Sequence, residues 1–281
     1  MLKGKTAVVT GGSRGIGFAI AKELSSQRAN VVICSRNQEE LNKAVGKLSS
    51  KGNKVFGQAA DVSCFNDCER LVNFALSKTG RIDILVNNAG IYGPVGLLET
   101  NDPKAWIDVL SINVLGAVYC SKLVIPHMKK QGAGKIINLA GAGVGGSKPL
   151  PRFSGYYISK AAIASLTENL ASELQTENIQ VNAIAPGGVA SDLNLNLLKL
   201  DKSVVGEEMY QTAKTLKEQG GTPPELAAKL VAFLVSKNAD HITGRLLSAK
   251  WDSIEELQKS DAFTQNLYRL RRIDNRSFFE K

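Results

Sequence analysis

The segment GYYISKAA, residues 155–162, would bring two phenols and an amine together if it were helical. Tyr156 stands four residues before Lys160 and Tyr157 three residues before it, and on a helix either spacing shares one face. A free phenol, with a pKa of about 10, is a poor acid–base group near neutrality. A neighbouring ammonium favours the phenolate and lowers that value. Such a phenol can exchange a proton with an oxygen on a reacting carbon. Spacing alone does not choose between the two tyrosines.

A second chemical segment follows KTAVV near the N-terminus. TGGSRGIGFAIA carries Thr10, Gly11, Gly15 and Gly17 in the pattern T-G-x-x-x-G-x-G. A strand, a glycine turn and a helix in that order are the setting of a dinucleotide site. Glycines let the backbone approach a pyrophosphate, and the helix N-terminus offers free N–H donors. The next strand ends ICSRN, where a carboxylate would bind the ribose 2′-hydroxyl and select NAD. Ser35 and Arg36 stand there instead, and Arg14 lies in the glycine turn. Two guanidinium groups suit a 2′-phosphate, so the expected cofactor is NADP(H).

These residues need a frame. The apolar runs KTAVVT, NVVICS, KVFGQAA, IDILVNN, KIINLA, IQVNAIA and ITGRLLSA alternate with amphipathic stretches. The clearest of those stretches are FAIAKELSSQ, QEELNKAVGKL, CERLVNFALSK, AAIASLTENLASEL and PELAAKLVAFLV. The alternation predicts an α/β fold: a Rossmann-type, doubly wound parallel sheet of about seven strands with helices on both faces. Ligands bind such folds at the carboxyl ends of the strands, where strand order reverses. Residues 1–250 read as a single domain, and residues 251–281 as a C-terminal helical extension with a basic tail.

Composition narrows the class. The 281 residues are 43% hydrophobic and 22% charged, ordinary for a soluble globular protein. No apolar run reaches the roughly 18 residues of a membrane span, and a strand pattern starts at once, so a cytoplasmic protein without a membrane partner is expected. Cys34, Cys64, Cys68 and Cys120 form neither a disulfide framework nor a zinc signature, which predicts buried free thiols and no metal site. The net charge of +9 attracts anions: nucleotide phosphates, acidic carrier substrates or nucleic acid. Arg269, Arg271, Arg272 and Arg276 cluster in LYRLRRIDNR and read as a solvated or subunit-contacting tail. Nucleic-acid binding would rest on charge alone, without a recognition motif or a stacking platform, and is not expected.

With TGGSRGIG, Asp61-Val62, NNAG at Asn87–Gly90, Asn113 in INVLG, Tyr156 with Lys160 and PGGVAS from Pro186, the chain resembles the short-chain dehydrogenase/reductases. Within that family it is similar to single-domain NADP(H)-dependent members such as 3-oxoacyl-carrier-protein reductases and tropinone-type reductases. The resemblance spans TGGSRGIG to ITG near residue 244. Its register selects Tyr156 over Tyr157. It implies hydride transfer between a nicotinamide cofactor and a carbonyl or alcohol, with Tyr156, Lys160 and Asn113 catalytic. Lys160 would also bind the nicotinamide ribose, and Asn113 would hold a water linking Lys160 to solvent. The implied cofactor contacts are Thr10, Gly11, Ser13, Arg14, Gly15, Ile16 and Gly17 in the turn, and Ser35 and Arg36 beyond β-strand two. Asp61 and Val62 would meet the adenine, while Asn88, Ala89 and Gly90 support the sheet beside the ribose. Pro186, Gly187, Val189 and Ser191 would meet the carboxamide. A homodimer or homotetramer is implied, with a small carbonyl or alcohol substrate, free or linked to a carrier or CoA.

Three departures qualify this picture. The family usually carries a serine just after the fifth strand to polarise the carbonyl; here Gly141 stands in that place, after Ala140. Backbone N–H groups of AGAGVGG, Ser147 or Ser154 are the candidate replacements, or the enzyme works slowly without this donor; the alternative is a cofactor-binding regulatory or scaffold protein with impaired catalysis. The segment of about 190–221 lies where the family places a substrate lid, and its leucines and Met209 read either as an apolar pocket wall or as the packing of two short helices. The end of the chain lacks the V-D-G-G motif often found after the last strand.

Overall fold

In the computed structural model, which describes residues 1–49, 54–141, 144 and 149–259, the seven apolar runs form one sheet. Its strands are β1 (Thr6–Thr10), β2 (Asn30–Ser35), β3 (Val55–Ala59), β4 (Ile84–Asn87), β5 (Gly134–Leu139), β6 (Ile179–Ala185) and β7 (Leu246–Ser248). They lie in the order β3-β2-β1-β4-β5-β6-β7, every neighbour parallel. Parallel strands covered on both faces need apolar residues at every position, and β1 is buried along its whole length. The fold is the Rossmann-type α/β architecture that the alternation predicts.

The helices are α1 (Gly15–Ser26), α2 (Gln38–Ser49), α3 (Phe65–Thr79), α4 (Pro103–Leu110), α5 (Gly116–Gln131) and α6 (Ser154–Glu173), then α7 (Asp192–Leu195), α8 (Lys202–Val205), α9 (Glu207–Gln219), α10 (Pro224–Leu234) and α11 (Ile254–Leu257). On one face, α1 packs on α10 around Ile20, Leu24, Val231 and Leu234. On the other, α3 packs on α5 around Leu71, Val72, Val124 and Met128. The two faces therefore hold separate apolar cores with the sheet between them.

The clearest helical patterns include none between β4 and β5, yet α4 and α5 join there through a π-helical turn, Ser111–Leu115, into one helix of 29 residues. Gly116 at the junction and Pro126 inside α5 dilute its helical signal. Its length and composition would suffice to cross a bilayer, contrary to the sequence reading. Its inner face is that of a core helix: Asn113, Cys120, Ser121 and Val124 are buried, and the Ser121 hydroxyl accepts from Asn87 at 3.2 Å.

Strand order reverses at β1, which has β2 on one side and β4 on the other, so a crevice opens at their carboxyl ends. A buried polar ladder stiffens its far wall. Asn87 Nδ2 donates to Asn138 Oδ1 at 2.8 Å, and Asn138 Nδ2 donates to the Thr167 hydroxyl at 2.9 Å, tying β4, β5 and α6 together.

Cys34, Cys68 and Cys120 are buried free thiols as expected, but Cys64, at the entry to α3, is exposed. After β7 the chain turns back. Asp252 accepts from the Ser248 N–H at 2.6 Å, and Leu257 of α11 is buried in the core that α10 lines. The arginine cluster at 269–276 lies outside the described residues.

Candidate active site

The crevice is a cleft of about 650 Å³ that runs from the end of β2, past the glycine turn, to α6 and the 190–200 segment. Gly11 (φ +62°) and Gly15 (φ +55°) take left-handed conformations in which a side chain would be strained. At Gly17 a Cβ would lie 2.3 Å from the Gly11 carbonyl oxygen, so only glycine lets α1 start this close to β1. Gly11, Ser13, Arg14, Gly15, Ile16 and Gly17 all line the cleft. Thr10 does not: it lies beneath, where its hydroxyl accepts from the N–H groups of Asn88 and Ala89, each at 3.0 Å. α1 has no side-chain cap and no acidic residue in its first turn. Its first N–H groups are thus left for an anion.

At the β2 end, Ser35 and Arg36 line the cleft and Arg36 is exposed. Arg14 departs from the expectation that both guanidinium groups face the ribose. Its Nη1 is shared between Glu40 of α2, at 3.4 Å, and Asp192 of α7, at 3.2 Å. Both carboxylates sit in first turns, where negative charge is favoured. Asp61 and Val62 line the same end; Asp61 Oδ1 accepts from the backbone N–H and hydroxyl of Ser63, at 3.0 and 2.7 Å, and so shapes the entry to α3 as well.

α6 settles which tyrosine meets the cleft. Its buried stripe includes Tyr156, Ser159, Lys160 and Ile163, which turns Tyr156 and Lys160 inward together. Tyr157 is only half-buried and does not line the cleft. Lys160 Nζ donates to the Leu139 carbonyl at 2.6 Å and lies 5.6 Å from the centre of the Tyr156 ring. In the protein chain by itself, burial outweighs the neighbouring ammonium. Burial pushes the Tyr156 phenol above its ordinary range, with Tyr157 adding to the effect, and the ammonium does not offset it. Burial also pulls Lys160 down to about 8, because no carboxylate among the described residues faces it to stabilise the charge.

Asn113 is buried in the π-turn rather than on the cleft surface. Both hydrogens of its amide are engaged, with the Ile91 carbonyl and the Ser159 hydroxyl at 2.9 Å each, and its oxygen accepts from the Ile91 N–H at 2.8 Å. Its side chain clamps the loop after β4 to α6. Gly90 passes between: a methyl there would sit 3.3 Å from Asn113 Oδ1 and 3.7 Å from Lys160 Nζ. Asn88, Ala89 and Gly90 line the cleft.

Pro186 and Ser191 reach the cleft, whereas Gly187 and Val189 do not line it. Gly187 has φ +81° and is backed by Thr222, and Val189 is buried. Gly141 carries no donor side chain and has φ +135°. Ser154 is no substitute: its hydroxyl accepts from Trp106 Nε1 at 3.4 Å, away from the cleft lining. Ser147 and most of AGAGVGG lie outside the described residues.

Leucines of the 190–221 segment line the wall beside Tyr156, as the sequence suggested, but Met209 does not, and sequence reasoning missed the part that the loop after β4 supplies. Tyr92 and Val95, in the loop after β4, and Leu193, Leu197 and Leu200, in the segment beyond Ser191, make up the wall. Tyr92 packs edge-on against Tyr156, with ring centres 4.6 Å apart, and against Phe153 at 5.3 Å. Its hydroxyl donates to Asn194 Oδ1, and Asn194 Nδ2 donates to the Val189 carbonyl at 2.7 Å. The position of Tyr92, directly after NNAGI at the end of a central strand, was the available signal. Met209 packs behind this wall without lining the cleft.

Fold and cleft together define a dinucleotide-binding α/β protein with a phenol and an amine at its switch point. The short chain dehydrogenase family model matches residues 5–201, and the chain belongs to that family of oxidoreductases, whose cofactors are NAD(H) or NADP(H). It is 37% identical over 243 residues to dehydrogenase/reductase SDR family member 4 of Sus scrofa, covering 86% of this chain and 85% of that one. Among solved structures it is similar to a single-substitution variant of actinorhodin polyketide ketoreductase with NADPH (TM-score 0.79, 28% identity, 88% of this chain and 97% of that one). It is also similar to the 3-ketoacyl-(acyl-carrier-protein) reductase of Brucella melitensis complexed with NADH (TM-score 0.76, 31% identity, 88% and 97%).

Proposed function

We propose that the chain is an NADP(H)-dependent oxidoreductase that interconverts an apolar ketone or aldehyde and its alcohol. The carrying observation is that Tyr156 and Lys160 face one cleft together with the uncapped N-terminus of α1. The glycine turn fits a pyrophosphate, and no carboxylate ends β2, which supports a 2′-phosphate held by Arg36 and, once released from its acidic partners, Arg14. Bound nicotinamide supplies or accepts the hydride at the carbonyl carbon. Tyr156 gives its proton to the carbonyl oxygen, or takes it back in oxidation. Lys160, with a value of about 8, can both hold and release a proton near neutrality and so recharge the phenol. Asn113 positions the pair through Ser159, whose hydroxyl donates to the Tyr156 carbonyl at 2.7 Å.

Tyr92, Val95, Leu193, Leu197 and Leu200 make an apolar wall, which favours an acyl chain or hydrophobic ring over a sugar. A 3-oxoacyl thioester is one candidate, as the two reductases above suggest. Exposed Ile107, Leu115 and Ile158 lie on the joined α4–α6 surface and suit a homodimer or homotetramer. Gly141 favours the second reading, a cofactor-binding scaffold with impaired catalysis. Purified protein, NADPH and a panel of apolar ketones and acyl thioesters separate the two. Turnover abolished by Tyr156→Phe supports the oxidoreductase; tight NADPH binding with no turnover on any carbonyl supports the scaffold.

A further inference from the structure

We propose that Tyr92 supplies the hydrogen bond to the substrate carbonyl that residue 141 lacks the side chain to make. The inference rests on the oxidoreductase reading and assigns it a further catalytic residue. The hydroxyl-bearing residues that line the cleft are Ser13, Ser35, Tyr92, Tyr156 and Ser191 among the described residues. Ser13 sits in the glycine turn and Ser35 at the end of β2, both on the nucleotide side. Ser191 packs beside the glycine turn, its Cβ 3.7 Å from where a Gly15 side chain would begin. That leaves Tyr92 as the hydroxyl-bearing residue that lines the cleft beside Tyr156, their rings in edge contact at 4.6 Å and its hydroxyl turned to Asn194 at the cleft wall.

The Tyr92 hydroxyl is already presented as a donor. Asn194 is buried, and its amide orientation is fixed by the bond from Nδ2 to the Val189 carbonyl at 2.7 Å. Its oxygen therefore points at Tyr92 and holds that hydrogen. A carbonyl oxygen entering beside Tyr156 competes for it. In the ground state this swaps one neutral hydrogen bond for another and gains little. As hydride reaches the carbon, the oxygen gains negative charge, and a donor bond to an anion is about twice as strong as a neutral one. The exchange is thus favoured most in the transition state, which is the condition for raising rate rather than affinity. Tyr92 keeps its proton throughout; the proton that reaches the product comes from Tyr156. Burial holds Tyr92 above its ordinary range, which keeps it a neutral donor.

The test is Tyr92→Phe, which keeps the ring that packs on Phe153 and Tyr156. With NADPH and an apolar ketone turned over by the wild type, kcat should fall about 100-fold. KM for the ketone should stay within about threefold, and the primary isotope effect from 4-deuterated NADPH should grow as hydride transfer becomes limiting. NADPH affinity and thermal midpoint report that the variant is folded. If Tyr92→Phe leaves kcat within about threefold, or changes KM alone, the assignment to Tyr92 is overturned while loss of turnover in Tyr156→Phe still upholds the oxidoreductase. A wild type that turns over no carbonyl overturns both.

Discussion

The side-chain amide of Asn88, at the end of β4, donates to the carbonyls of Thr10 and Gly11 at 2.8 and 3.1 Å. The glycine turn is therefore held from the neighbouring strand as well as by its own glycines. Thr10 returns the tie by accepting the N–H groups of Asn88 and Ala89. Asn88→Ala removes two donors and leaves two carbonyls of the turn without them. We expect a loss of about 1–3 kcal/mol in stability and at least about tenfold weaker NADPH binding, measured by denaturant unfolding and fluorescence titration. Retained affinity in a folded variant would count against this role.

Gly17→Ala places a methyl 2.3 Å from the Gly11 oxygen and 2.4 Å from Asn88 Nδ2. Backbone cannot yield there without displacing the turn. The expected cost is about 1–3 kcal/mol, with dinucleotide affinity lost more than about tenfold. By contrast Gly46→Ala, on α2, meets nothing within 4 Å and should be neutral or stabilising.

Cofactor choice should depend more on Arg36 than on Arg14. Arg14 is already shared between Glu40 and Asp192, whereas no ion pair engages Arg36 among the described residues. Arg36→Ala should lower kcat/KM for NADPH about 10- to 100-fold and leave that for NADH within about threefold. Arg14→Ala should cost less, and Glu40→Gln should raise NADPH affinity by freeing the guanidinium. Equal losses with both cofactors in Arg36→Ala would refute the 2′-phosphate role.

Stability should depend on pH through Lys160. Its folded value of about 8 lies below the ordinary 10.5, so between those values the unfolded chain binds the proton and the folded one does not. Stability therefore rises with pH across that window and is lost as pH falls through about 8. Tyr156 acts oppositely, but only above the ordinary phenol value near 10. Lys160→Met should be more stable than wild type near pH 7, by up to about 3 kcal/mol, with the gap closing as pH rises. Thermal unfolding of both proteins from about pH 7 to 9.5 measures it; a constant gap would show that Lys160 is not the titrating group.

The frame was legible because it is written locally. Strands such as TAVVT and NVVICS are apolar throughout, as double coverage requires, and the glycine turn declares itself by residues whose φ only glycine takes readily. The Tyr156–Lys160 spacing gave one shared face, and the family register chose between the tyrosines before the burial of α6 placed Tyr156 on the cleft. The joined helix α4–α5 was not legible, since its propensity is diluted and only packing on the sheet stabilises it.

Tertiary structure alone decided the rest. Tyr92 and Asn194 are 102 residues apart, and no local pattern pairs them. Arg14 meets Glu40 and Asp192 only because three elements end at the same crevice. The protonation of Tyr156 and Lys160 likewise depends on how completely the fold removes them from water, which their spacing along the helix does not reveal. Residue types and their order along the chain determine which chemistry is at hand. Which groups are buried, and what faces them there, determines how that chemistry runs.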